Sequence, residues 1–289
     1  MYKATLAVVC GFALAGSYAA AQSRPEYLDI MQVKVRPDKT KDYEDGIKKL
    51  ADVNRKHQGD RWIALSTEYG DAGTLMFSSS RDNLAAIESS YTVFEKAMKE
   101  GLGPAGDKLM RDLTSWSASV HTEIRHRRWD LSVNAPSSAA DLLKVVAESR
   151  WIRMYKADIK PGRNFDYIEA WKPFQAELAK LDPPVTVLVS ESVTGTPALF
   201  VGVYLKSLAE ADAQGAAVQK ALASPAYANL TRVGTDALVM SSWEFLRIRP
   251  ELSCAPDALV SMDTAFWKPK PMPAAAPKPR PEMASAEKK

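Results

Sequence analysis

The chain has three histidines, His57, His121 and His126. No two stand at helical i, i+4 spacing with a glutamate between, and the only cysteines, Cys10 and Cys254, lie at opposite ends. That spacing excludes a structural zinc site. One run could move a proton. In Val120-His121-Thr122-Glu123-Ile124-Arg125, strand alternation puts His121, Glu123 and Arg125 on one face. A carboxylate beside an imidazole can orient it for proton transfer, and an imidazole can ligate haem iron. The same trio also suits an exposed strand face.

A second pair is Asp29 and Arg153, at equivalent points of two strand-like runs whose same faces carry Met31 and Tyr155. A charge on an apolar face is costly to bury unpaired. Either these two sit at strand ends in water, or they mark the polar part of a ligand cavity between helices and sheet. The walls of that cavity would be Tyr43, Trp62, Tyr155, Tyr167, Trp171 and Phe174. Aromatic residues at helical spacing also simply fill cores. Arg125-His126-Arg127-Arg128 has the composition of an anion patch, but alternation divides it between two sides, so it reads as a solvated strand end. There is no Gly-rich phosphate loop, Gly-x-Ser-x-Gly elbow or dinucleotide fingerprint. Serine-hydrolase and NAD chemistry are therefore not expected.

The elements that must position these residues come in two copies. Val33-Lys34-Val35-Arg36-Pro37-Asp38-Lys39-Thr40-Lys41-Asp42-Tyr43 is echoed by Ala157-Asp158-Ile159-Lys160-Pro161-Gly162-Arg163-Asn164-Phe165-Asp166-Tyr167, an offset of 124 positions. Arg128-Trp129-Asp130-Leu131-Ser132 is echoed by Arg249-Pro250-Glu251-Leu252-Ser253, an offset of 121. Self-similarity of this kind marks a repeated structural unit. Each copy opens on an alternating strand and continues into a helix with one apolar stripe, Tyr43, Ile47 and Leu50 or Tyr167, Trp171, Phe174 and Leu178. Two β-rich runs around a turn follow, at 62–79 and 185–205, then a second helix and a closing strand. Ser224-Pro225 reads as the start of a further short helix, and 139–148 as an amphipathic helix.

The expected class is α+β: two tandem ferredoxin-like βαββαβ units. Each sheet would bear helices on one face and leave the other bare, so the two should pack sheet to sheet. This arrangement resembles the dimeric α/β-barrel superfamily, here as a tandem fusion in one chain. The resemblance implies an intrachain barrel and a range of activities: cofactor-free monooxygenases, haem-dependent peroxidases and haem-degrading enzymes. It carries no catalytic residue onto this chain, because no family motif accompanies it.

The ends set the expected address. Lys3, the apolar run from Ala4 to Ala15 and the exit Ala19-Ala20-Ala21 have the form of a secretory leader. The run is too short to span a bilayer, which takes about 20 residues. The expected division is a leader at 1–21, units at 22–132 and 150–253, a linker at 133–149 and a disordered Pro/Ala/Lys tail at 254–289. Loss of Cys10 leaves a lone thiol, so stability must come from a hydrophobic core, for which 46% hydrophobic residues suffice. Basic and acidic residues nearly cancel, 38 against 35, so no nucleic-acid footprint is present. Four expectations follow: export to the periplasm or beyond in a bacterium, no membrane span after leader removal, a monomer whose repeat supplies its own partner, and a small apolar or aromatic ligand or a structural role. The alternative is an enzyme of the monooxygenase-like or haem-dependent kind. No motif requires a cofactor, and haem enters only through the resemblance.

Overall fold

The computed structural model describes residues 24–268. The expected leader at 1–21 and the part of the expected tail beyond Lys268 lie outside the described residues. The chain runs β1 (Tyr27–Val35), α1 (Thr40–Lys56), β2 (Ile63–Tyr69), β3 (Thr74–Arg81), α2 (Leu84–Leu102), α3 (Pro104–Trp116), β4 (Ser117–Arg127) and α4 (Ala139–Glu148). It continues with β5 (Trp151–Ile159), α5 (Asn164–Leu178), β6 (Val187–Ser192), β7 (Ala198–Leu205), α6 (Leu208–Leu222), α7 (Pro225–Ala237), β8 (Leu238–Ile248), α8 (Asp257–Met262) and α9 (Thr264–Trp267). Each half thus carries a third helix beside the six elements of the unit: α7 begins at Pro225, as Ser224-Pro225 predicts, and α3 is its unexpected counterpart in the first half. Local chemistry starts several of the helices. Asn83 caps the amide of Ala86 at 2.9 Å, Ser207 that of Glu210 at 3.2 Å, and Ser224 that of Tyr227 at 3.2 Å with Pro225 following.

All eight strands form one closed antiparallel barrel in the order β1-β3-β2-β8-β5-β7-β6-β4, and β4 returns to β1. The halves are joined more closely than two stacked sheets. Their edges hydrogen-bond at two seams, β2 with β8 (Leu65 opposite Ile248) and β4 with β6 (Arg125 opposite Ser192). No edge strand is left to recruit another chain. The chain tightens each seam further. Past β4, Val133 bridges to Val187, and past β8, Cys254 bridges to Trp62.

Strand alternation sends one set of side chains into the barrel and the other under the helices. Ile30, Leu65, Met76, Ile152, Leu246 and Ile248 pack inside, in one cluster with Ala147 of α4, Leu259 of α8 and Trp267 of α9. The helix at 139–148 and the C-terminal segment therefore close one end of the barrel. This corrects the division expected at Cys254: residues 254–268 are folded, because Trp267 fills apolar space that nothing else covers. Its ring is 1% exposed and its indole N–H donates to the Ala147 carbonyl at 3.3 Å. Outside the barrel, α1, α2 and α3 cover one half with Val33, Val35, Leu75 and Phe77 beneath them, and Tyr43 of α1 packs into the same core. Helices α5, α6 and α7 cover the other half over Ala157, Ile159, Leu199 and Val201.

Trp267→Ala is expected to destabilise the protein by about 3–5 kcal/mol, the range for emptying a buried tryptophan site. Equilibrium urea unfolding would measure it. A loss below about 1 kcal/mol would show that the segment does not belong to the core.

Candidate functional site

The residues singled out from the sequence divide between three places. Arg153, Tyr155, Tyr167, Trp171 and Phe174 line one cavity of about 660 Å³ between the barrel wall and α5, α6 and α7. Strand β5 delivers Arg153 and Tyr155 from its helix-facing side, and one stripe of α5 delivers the other three. The Tyr155 and Tyr167 hydroxyls lie 3.4 Å apart, and Trp171 meets Phe174 edge-on with ring centres 5.7 Å apart. The Trp171 indole N–H donates to the Leu131 carbonyl at 3.0 Å, which anchors the wall to the other half of the chain.

Asp29, Tyr43 and Trp62 are not at this cavity. Asp29 belongs to an ion cluster of the first half, 3.3 Å from Arg81, which also pairs with Asp60 at 2.7 Å. Tyr43, on α1, is buried in the core of the first half, and the Trp62 indole donates to the Leu252 carbonyl at 2.9 Å. Those two aromatics hold the fold together. The difference between the halves has a volume origin. Counted from their N-caps, Asn83 and Ser207, helices α2 and α6 match at an offset of 124, so Ile87 and Phe94 correspond to Ala211 and Val218. Ile87 is buried and Phe94 packs on the first core, whereas Ala211, Gly215 and Val218 line the cavity. Small side chains on α6 leave the room that large ones fill under α2.

Sequence reasoning missed several lining residues, chiefly Trp243, Tyr227, Ala211 and Gly215. Comparing α2 with α6 position by position for lost volume would have found the last two. Trp243 packs on Tyr155 with ring centres 4.7 Å apart, and Tyr227 on Phe174 at 5.0 Å. A Cβ added at Gly215 would meet nothing within 4 Å, which marks open space rather than close packing.

His121 and Glu123 share a face, as alternation requires, but that face turns into the barrel. Glu123 accepts from Arg125 Nε at 3.0 Å, and Arg125 lies over the Phe200 ring with 3.4 Å from Cζ to the centroid. His121 is 64% exposed and 4.0 Å from Glu123, beyond hydrogen-bond reach. Glu123 instead neutralises Arg125. Arg125 and Arg127 are 2% and 5% exposed, so the basic run is not a solvated strand end. Closure of β4 against β6 buries them, and Arg128 pairs with Asp130 and Glu191 at 2.7 and 2.8 Å. His126 stacks on Tyr27 and His57 faces Glu100, both away from the cavity.

A haem held by imidazole or thiolate does not fit the cavity, whose lining has neither among the described residues. Its tyrosines are poor substitutes. Burial, followed by the nearby Tyr155, pushes the Tyr167 hydroxyl well above its usual 10.0, so the phenolate is disfavoured. No group of three or more His, Cys, Asp or Glu that could hold a metal ion occurs among the described residues. No helix among them is long and apolar enough to cross a membrane.

No family model matches the sequence, and no curated protein matches it. Solved structures do. An anthrone oxidase-like protein superposes at a TM-score of 0.50 with 10% identity, over 78% of this chain and 92% of that one. The chain has the dimeric α/β-barrel fold. A candidate chlorite dismutase (TM-score 0.47, 11% identity, 81% of this chain and 98% of that one) and a candidate monooxygenase from Lactobacillus acidophilus NCFM (0.46, 10%, 78% and 94%) are similar in the same way. At such identity the likeness concerns the fold alone.

Two outcomes are expected. Glu123→Gln leaves a buried guanidinium unpaired and should cost about 3 kcal/mol in urea unfolding, most of it regained on adding Arg125→Met. Burial also raises the Tyr43 hydroxyl above 10.0, against a weaker opposing bond to Ser117. The folded chain therefore holds the Tyr43 and Tyr167 protons more tightly than the unfolded chain does. The resulting stability is full below about pH 10 and is lost as pH rises toward the folded values. Urea midpoints measured from pH 8 to 11 should fall above pH 10, and fall less in Tyr167→Phe.

Proposed function

We propose that this is an exported, monomeric ligand-binding barrel whose cavity under α6 takes a small apolar or aromatic molecule. In this reading residues 1–21 direct export to the periplasm or exterior of a bacterium. Two tandem ferredoxin-like units, products of one duplication, supply each other's partner surface. The leader pattern and the two repeated segments support those parts.

The observation that carries the binding reading is the cavity itself. About 660 Å³ falls within the range of small-molecule sites, and the walls are mainly aromatic and aliphatic, with Arg153, Gln214, Gln219, Thr231, Thr235, Ser241 and three tyrosine hydroxyls as the polar groups. Binding is favoured over catalysis by the donor set. The lining has no carboxylate, imidazole or thiol among the described residues, so no group there is suited to take a proton near neutral pH. The monooxygenase-like and chlorite dismutase-like neighbours fit the enzymatic alternative only at the level of fold.

The test uses the neutral fluorophore N-phenyl-1-naphthylamine. One molecule is expected to bind per chain, with enhanced emission. Gly215→Trp, placed where an added side chain meets open space and where a helix gains from losing glycine, should weaken that binding at least about tenfold without lowering the melting temperature. Binding that ignores this substitution would remove the cavity from the function.

A further inference from the structure

The first half of the chain shows how this fold silences a charge at the position of Arg153. Asp29 stands at that position on β1, and Arg81, at the end of β3, neutralises it and holds Asp60 as well. In the second half the place of Arg81 is taken by Leu205, which pairs with Trp151 as Arg81 pairs with Tyr27. Arg153 therefore has no carboxylate within ion-pair distance among the described residues. Its guanidinium lies over the Trp243 ring, 4.4 Å from Cζ to the centroid, which orients the planar fork without neutralising it. The corresponding position on β4 is Thr122, so the first half has no such platform.

Arg153 is also the one charged residue among the described residues lining the cavity. Around it are Tyr155, Tyr167 and Trp243, and the rest of the wall is aromatic and aliphatic with the uncharged polar side chains of Gln214, Gln219, Thr231, Thr235 and Ser241. Burial lowers the proton affinity of the guanidinium, partly offset by Tyr227. An arginine nonetheless keeps its charge in proteins, so the cation persists in a poorly solvated place. A half-buried, uncompensated guanidinium beside an apolar hollow is complementary to one class of molecule.

We propose that the physiological ligand is an amphipathic acid: a flat aromatic or alicyclic body lodged under α6, with a single anionic group, carboxylate or sulfonate, seated on Arg153. The inference rests on the cavity being the binding site. The anion supplies the charge that Asp29 and Asp60 supply to Arg81, and the guanidinium fork donates to two oxygens at once. The apolar body meets the surfaces of Trp171 and Phe174 and the gap at Gly215. A neutral molecule of the same shape would bury the same area but leave the guanidinium unpaired.

Two probes with one skeleton separate the claims. 8-Anilinonaphthalene-1-sulfonate is N-phenyl-1-naphthylamine with a sulfonate added, and both report binding by fluorescence. The wild-type protein is expected to bind the sulfonate at least about tenfold tighter than the neutral probe, the scale of a charge-assisted hydrogen bond. Arg153→Gln should bring the two affinities within about twofold by weakening only the sulfonate. Arg153→Lys, which keeps the charge but loses the fork and the stacking, should fall between; it also serves if the glutamine variant does not fold. Gly215→Trp should weaken both probes together. A sulfonate preference that survives Arg153→Gln, or that Arg153→Lys leaves at the wild-type value, overturns the anionic-ligand inference while the cavity stands. Failure of either probe to respond to Gly215→Trp overturns the cavity reading and this inference with it.

Discussion

The structure depends on the need to hide two sheet faces and four sheet edges at once. A four-stranded antiparallel sheet with helices on one side leaves an apolar face bare and two strands unpaired. This chain meets both demands by closure. The β2–β8 and β4–β6 seams consume the edges, and Ile30, Leu65, Ile152 and Leu246 meet inside. An eight-stranded barrel has an interior that side chains alone can fill. Here side chains fill it, and the cavity lies outside the barrel wall, beneath the helices.

Closure also explains the interior charges. Once β4 is locked between β1 and β6, the inward side of its alternation includes Glu123 and Arg125, which cannot reach bulk water. They persist because they pair with each other, while Phe200 provides a face for the guanidinium. The open end is closed differently, by α4 and the segment ending in Trp267.

The two halves diverge where function can enter. The first is filled by Ile87, Phe94 and Met98, and its outward-facing Asp29 is paired with Arg81. The second has Ala211 and Val218 where the first has Ile87 and Phe94, and leaves Arg153 without a carboxylate partner among the described residues. A barrel with two helix-covered sides permits this division of labour, because a side that only stabilises frees the other to keep a hollow and an unpaired charge. Empty apolar volume and unsatisfied cations both cost stability. The filled half offsets that cost.

Much of the fold was legible in the sequence because strands, helices and turns are written in local periodicity and repetition. The apolar stripe of α5 and the alternation of β5 placed Arg153, Tyr155, Tyr167, Trp171 and Phe174 on facing surfaces, and they do share a cavity. The equivalent reasoning applied to Asp29, Tyr43 and Trp62 grouped residues that never meet it. A stripe shows which way a side chain points and is silent on whether space remains in front of it. That depends on side-chain volumes brought from α6, on the partner that Arg81 offers Asp29 and on the barrel seams that bury Arg125 and Arg127. Direction is a property of neighbours along the chain, and the sequence by itself determines it. Vacancy and charge compensation are properties of neighbours in space, and only the tertiary structure decided them.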